Sequence, residues 1–240
     1  MKVRKTITLK VNKENKVLSF GIPDNDEELQ EMFKFRYKIY LQHNYISENL
    51  DQKDIDEYDG GLSKYFIASV DNRIIGTIRL ISDTYLPTEK DCFKFAEPQS
   101  IANIPRGNRA ELGRLIIEKY SDKIFLPRHL VLLGLLLCVT EYALENDLRG
   151  GYSFIKNSLK IKLDKLKFPF HSIENFEQVY NQKLLSNYFN SIDDPVWPIY
   201  YITFEVNKYL NKIFSNKIFF KKVDNNFVFR NQFIFNILSK

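Results

Sequence analysis

The sequence predicts an α/β fold of α+β layout, with one mixed, mostly antiparallel sheet flanked by helices. Three observations carry that expectation. Segments of strand-like character exchange along the chain with segments of helical apolar period. Two strand-like runs meet at the two-residue turn Asp71-Asn72, which makes antiparallel neighbours of them. The apolar run from Leu130 to Val139 is about half a membrane span and reads as a buried helix rather than a transmembrane segment.

In chain order, Met1 to Lys13 alternates polar and apolar residues and has no secretory apolar core. Lys16 to Ile22 reads as a strand. Asp24 to Glu28 then supplies cap and first-turn acids to a helix running to about Gln42, with Leu29, Met32, Phe33, Ile39 and Tyr40 at helical spacing. Asp51 to Gly61 is an acidic turn, and Tyr65 to Val70 with Arg73 to Ile81 form the hairpin. Asp83 to Asn108 shows little periodicity and reads as a long connection, a feature that often carries function. Ala110 to Ile117 is a further strand. The buried helix runs from about Leu126, with Pro127 in its first turn, to Glu145, and Asn146 to Gly151 ends it. A strand at Tyr152 to Ile155, a helix at Ser158 to Leu166, a strand at Val196 to Phe204 and a helix at Glu205 to Phe214 precede an aromatic, basic tail.

Composition removes several classes of function. The excess of 35 basic over 30 acidic residues, +5, is too mild for nucleic-acid wrapping. Cys92 and Cys138 have neither disulfide nor zinc spacing, so no metal is expected and a reducing cytoplasm fits. Phosphate-loop, dinucleotide, zinc-protease and nucleophile-elbow signatures are missing from the sequence. His43, His129 and His171 share no spacing and read as structural.

What stands out is charge inside apolar elements: Arg36 in the first helix, Asp54, Asp56 and Asp59 in the acidic turn, Arg79 in the hairpin, and Glu111 with Arg114 in the next strand. Buried charges are costly unless paired. Either these residues form a structural ion-pair network, or they line a polar cleft for a zwitterionic or anionic substrate. Glu111 and Arg114 are three positions apart, which puts them on opposite faces of a regular strand, so a shared cleft demands a β-bulge near Gly113.

Phe35-Arg36-Tyr37-Lys38-Ile39-Tyr40, Asp54-Ile55-Asp56-Glu57-Tyr58-Asp59, Gly76-Thr77-Ile78-Arg79-Leu80 and Glu111-Leu112-Gly113-Arg114-Leu115 follow one another in that order. Together they resemble the signature of the acyl-homoserine-lactone (autoinducer) synthases and of their relatives, the N-acyl amino acid synthases and exosortase-associated acyltransferases. The resemblance spans about Lys16 to Phe170 and implies the GNAT acyltransferase fold. Residues 1–175 would be the core, and 176–240 an extension of the same domain that completes the sheet and acyl pocket. Asp54 stands where the lactone synthases usually have Glu, and Tyr45 and Ile46 stand where a Trp is typical. The run Gly76 to Ile81 followed by Leu86-Pro87-Thr88-Glu89 is closer to the N-acyl amino acid synthases.

The resemblance implies a cytoplasmic N-acyltransferase that moves a long-chain fatty acyl group from the phosphopantetheine thioester of acyl carrier protein to the amine of an amino acid. No bound cofactor and no nucleic-acid partner are expected. A lactone synthase using S-adenosylmethionine and a non-catalytic acyl or carrier-protein binding module are the alternatives. Glu111 matches the family's candidate base, with backbone N–H groups at Leu115 and Ile116 as oxyanion donors. Arg36, Arg79 and Arg114 are then available to bind the substrate carboxylate or to order the acidic turn, and Asp54, Asp56 and Asp59 to anchor the arginines or hold the substrate ammonium. Glu118 to Pro127 contains no Gly, so a coenzyme A diphosphate lacks its backbone nest, and a single pantetheine phosphate near Arg128 fits better. Lys156, Lys160 and Lys162 would face an acidic carrier surface.

Overall fold

In the computed structural model the described residues are 1–11, 14–118, 128–181, 184–224 and 226–230. The helix start expected at Leu126 and Pro127 and the Gly-free stretch 119–127 lie outside them. A single sheet of ten strands dominates, and the order of its members is not the order of the chain. Its front half is an antiparallel run: β1 (Lys2–Val11), β2 (Glu14–Ile22), β3 (Ser63–Val70) and β4 (Arg73–Ile81). Asp71 and Asn72 turn the β3–β4 hairpin at φ 49 and 61, the conformation their short polar side chains tolerate. The alternation that begins at the N-terminus forms strand β1 over Lys2–Val11, with Ile7 and Leu9 buried on its inner face.

Helix α1 (Asp26–Gln42) crosses between β2 and β3. Asn25 caps it by accepting the Glu28 N–H, three acids fill its first turn, and Met32, Phe33, Arg36, Tyr37, Ile39 and Tyr40 form its buried stripe. The 83–108 connection is not featureless. It holds a π-helical turn at Thr88–Cys92, strand β5 (Phe93–Phe95), the short helix α2 (Gln99–Ala102) and a 3₁₀ turn at Arg106–Asn108.

Strand β6 (Glu111–Ile117) continues the sheet antiparallel to β4. Helix α3 (Arg128–Glu145) is buried along its whole apolar run and covers one face of the sheet. It lies so close that a Cβ on Gly134 would meet the Phe20 ring at 2.3 Å, which is why glycine stands mid-helix. Strand β7 (Gly150–Lys156) then returns parallel to β6, and helix α4 (Asn157–Lys165) follows it. The remainder is β8 (His171–Ser172), β9 (Phe176–Gln178), α5 (Ser186–Phe189), β10 (Val196–Ile202), α6 (Thr203–Phe214), β11 (Phe220–Val223) and β12 (Asn226–Phe229). Helix α6 starts two residues before the expected Glu205. Strand β10 pairs with β7 and β12 pairs with β1, so strands from both sides of residue 175 share the sheet, while β9 pairs with β5 in a separate ribbon. Among the described residues no helix is long and apolar enough to cross a membrane.

Candidate active site

The site begins where β6 and β7 part. Among the described residues their only strand-to-strand register is Leu112 opposite Ser153, preceded by a bridge between Arg109 and Gly150. The ladder ends on a side chain, because the Ser153 hydroxyl donates to the Leu112 carbonyl at 2.7 Å. Beyond that point the two strands frame a narrow, partly open cavity of about 40 Å³, walled in part by Gly113, Arg114 and Phe154.

The same stretch of β6 carries the bulge. Arg79 pairs with Gly113 and Thr77 with Ile116, so Arg114 and Leu115 together oppose Ile78 alone. The extra residue shifts the phase of the strand. Leu112, Leu115 and Ile117 pack on the core beneath α3, whereas Ile116 packs with Tyr37 and Tyr40 of α1, and Glu111 and Arg114 both line the cavity. The left-handed residue is Arg114, at φ 52, and not Gly113. A non-glycine residue held there implies that its ion pairs outweigh the local strain.

Those ion pairs form a closed set of three arginines and three aspartates. Arg36 donates through Nε to Asp54 at 2.7 Å and through both terminal nitrogens to Asp59 at 3.0 and 2.9 Å. Arg79 grips Asp56 bidentately at 2.6 and 2.9 Å and reaches Asp59 at 2.9 Å. Arg114 joins Asp54 at 2.9 Å to Asp56 at 2.7 Å. All six are buried or nearly so, with Arg36 at 0% exposure. Burial alone would raise the Asp54 and Asp56 carboxyls, but Arg114 and its companions hold both below the usual carboxylate range. The acidic turn is thus tied to α1, β4 and β6 at once. Arg79, Arg114 and Asp56 sit at the cavity, while Arg36, Asp54 and Asp59 stand behind them.

Glu111 opens β6 and is 1% exposed. Its Oε2 accepts the Thr88 backbone N–H at 2.7 Å, the first donor of the π-helical turn, which no carbonyl within that turn can satisfy. Burial pushes its pKa up to about 7, with the Thr88 hydrogen bond and Arg79 pulling the other way. A carboxyl poised there can accept a proton near neutrality.

Three expected site residues need correction or fall elsewhere. Lys156 does not face solvent. The alternation of β7 turns it inward with Phe154, where its Nζ donates to the backbone carbonyls of Tyr188 and, at 2.9 Å, Asp194, and lies 4.5 Å from the Tyr188 ring centroid. The Ile116 amide belongs to the ladder. The Glu118 N–H donates to the Ile75 carbonyl at 2.9 Å, and two residues back the Ile116 N–H points to the same side, toward its partner Thr77. Leu115 keeps its place beyond the last β6–β7 pair. The Arg128 side chain lies outside the described residues. Lys162 is exposed on α4, and Lys160, beside it, pairs with Asp164 at 3.3 Å.

Of the rest of the cavity, Glu57, Tyr58, Ile81 and Pro87 lie within quoted motifs and the others do not. Pro87, Asp91 and Cys92 come from the long connection, and Tyr180, Leu184, Leu185 and Phe189 from the chain beyond β9. Tyr180 stacks on Phe189 with centroids 4.0 Å apart, and Phe154 packs against the same ring. Leu185 sits at φ 62 although it is branched and buried. The surplus of 20 Phe and 14 Tyr was the one sequence signal for such a lining.

Residues 31–150, half of the 240-residue chain, match the family model of the N-acyl amino acid synthase FeeM. No curated protein sequence matches the chain. Among solved structures, FeeM, an N-acyl amino acid synthase from uncultured soil microbes, aligns with a TM-score of 0.51 at 17% identity, over 80% of this chain and 95% of that one. TofI in a ternary complex with an inhibitor and MTA aligns with a TM-score of 0.58 at 14% identity, over 82% of this chain and 96% of that one. MesI, a CoA-dependent acyl-homoserine lactone synthase, aligns with a TM-score of 0.54 at 16% identity, over 83% and 91%. At such identities the structures share the fold, one large, mostly antiparallel sheet flanked by helices. The chain is an acyltransferase and belongs to the N-acyl amino acid synthase FeeM family.

Proposed function

We propose that the chain transfers a long-chain fatty acyl group from the phosphopantetheine thioester of acyl carrier protein to the amine of an amino acid. The observation that carries this reading is Glu111, a buried carboxyl with its pKa pushed up to about 7, in a cleft where two strands have parted. An amine attacks a thioester only as its free base. Glu111 takes the amine proton, directly or through one water. The nitrogen then adds to the thioester carbonyl, whose electron pair moves onto oxygen, and the Leu115 amide donates to that oxyanion. Collapse restores the carbonyl and breaks the carbon–sulfur bond. The nitrogen gives up its remaining extra proton as the thiolate leaves and the thiolate takes it, giving an amide and a free pantetheine thiol.

Arg79 and Arg114 stand at the cleft for the acceptor carboxylate, and the network behind them fixes their position. The pantetheine arm enters between β6 and β7, and the ring-lined wall at Phe154, Tyr180 and Phe189 faces the acyl chain. Two features favour carrier protein as donor. The sequence has no Gly between residues 118 and 127 for a diphosphate nest, and Lys162, Lys165 and Lys167 are exposed on or just after α4.

The test is a donor comparison: the purified chain with acyl carrier protein thioester or acyl-CoA, pooled amino acids, and S-adenosylmethionine in a parallel reaction. The expected result is an N-acyl amino acid formed from the carrier-protein donor. Product formed from S-adenosylmethionine alone would make the chain a lactone synthase, and donor binding without any turnover would leave a binding module.

A further inference from the structure

The mechanism leaves one buried cation without a task. Lys156 ends β7, is 7% exposed, and among the described residues forms no ion pair with a carboxylate. Its Nζ donates to two main-chain carbonyls, those of Tyr188 and, at 2.9 Å, Asp194. A charge buried in this way costs stability that a methionine of similar reach would not. What the ammonium adds is a clasp, which holds two carbonyls of one segment at a fixed distance from β7. The start of α4 grips the same segment. The Asp194 carboxylate accepts the Ser158 N–H at 2.7 Å and its hydroxyl at 2.8 Å, and the Pro195 carbonyl accepts the Asn157 N–H at 2.8 Å.

The clasped segment carries Phe189. Its ring is 3% exposed, lines the cavity, and stacks on Tyr180 at 4.0 Å with 16° between the planes. Phe154 at 5.1 Å and Phe93 at 5.9 Å back it. Leu185, at the head of α5, keeps φ 62 although branched and buried, a strained conformation that persists only where the surroundings enforce it. The buried ammonium and the strained leucine thus fix α5 in one seat. That seat bears on the donor. The cavity of about 40 Å³ is far below the roughly 300–1,000 Å³ of ligand pockets, and other walls carry the charges of Arg79, Arg114 and Glu111. An apolar chain that outgrows the cavity therefore extends toward the rings, and it meets Phe189.

We infer that Lys156 is a positioning residue for the acyl chain: by clasping the carbonyls of Tyr188 and Asp194 it seats the Phe189 ring against Tyr180, and the seated ring grades donors by acyl length. This rests on the acyl-transfer reading above and adds the residues that discriminate among its donors. Lys156 touches no reacting atom, whereas Phe189 meets the chain itself.

The test compares butyryl and myristoyl thioesters of pantetheine in the wild type, Phe189→Ala, Lys156→Met and the double variant. The myristoyl-to-butyryl ratio of kcat/KM is taken within one preparation, so the fraction of folded protein cancels. Phe189→Ala is expected to raise that ratio by about tenfold or more, since two newly buried methylenes already account for about that factor. Phe189→Leu, which keeps more of the side-chain volume, is expected to shift it in the same direction and serves if the Ala variant does not fold. Lys156→Met is expected to raise the ratio by a smaller factor and to add nothing once Phe189 is Ala, because it acts through that ring. Calorimetric titration with the butyl and tetradecyl thioethers of pantetheine, which cannot transfer, gives the same ratios without turnover. If the thioethers follow this pattern while no thioester acylates an amine, the transfer reading fails and the length assignment stands. A ratio unchanged in both Phe189 variants overturns the role of the ring. A Lys156→Met shift that is absent, or equally large with and without the Phe189 ring, overturns the positioning role.

Discussion

Glu111 accepts the backbone N–H of Thr88 at 2.7 Å, so one carboxyl both caps the start of the π-helical turn and faces the cavity. The cost of that position is written in its pKa. Held at about 7 against an ordinary 4.5, the side chain binds a proton in the fold that the unfolded chain has already released. The folded state therefore loses stability as pH rises from about 4.5 through about 7, by up to about 3 kcal/mol.

Glu111→Gln keeps the acceptor for Thr88 and removes the titration. Chemical denaturation at pH 8 is expected to find this variant as stable as the wild type or more so, with the difference vanishing near pH 4. A large loss of stability in the Gln variant at both pH values would mean that Glu111 is held by contacts other than this one.

Asp54 holds Arg36 at 2.7 Å and Arg114 at 2.9 Å, and all three are buried. Asp54→Asn leaves two guanidinium groups short of their counterion, and denaturation should show a loss of about 3–5 kcal/mol. Because the fold lowers the Asp54 pKa, the network's contribution is present above the ordinary value of 3.8 and fades as pH falls below it. A stability unchanged by the substitution would show that the acidic turn is anchored elsewhere.

Charge reversal at Lys160 and Lys162 should raise the KM for acyl carrier protein several-fold, leave a short acyl-pantetheine donor unaffected, and lose its effect in high salt. Lys156→Met serves as contrast. Its ammonium is hydrogen-bonded to the carbonyls of Tyr188 and Asp194, so its loss should lower stability by about 1–3 kcal/mol and affect both donors alike. Equal changes for the two donors in the Lys160/Lys162 variant would remove α4 as the docking face.

The elements that sequence reading reaches are those with their own period or turn chemistry. Helix α1 has its stripe and its Asn25 cap, the β3–β4 hairpin its Asp71-Asn72 turn, and α3 its apolar run. The three-residue spacing of Glu111 and Arg114, joined to the resemblance that wants both in one cleft, placed a bulge, although it could not say that Arg114 would take the left-handed conformation in place of Gly113. The cavity's other wall was beyond reach, because Cys92, Tyr180 and Phe189 are joined by contacts distant in sequence. Lys156 was grouped with the α4 lysines by proximity, when the period of two from Phe154 already placed it on the inner face of β7.

The most direct measurement of the central claim is the rate of acyl transfer against pH for the wild type and Glu111→Gln, at saturating donor and acceptor. A wild-type rate that rises through pH about 7 and a variant that is slower by about 10²-fold or more and lacks that limb are expected of a general base. A folded Gln variant that acylates as fast as the wild type across the range would contradict the account.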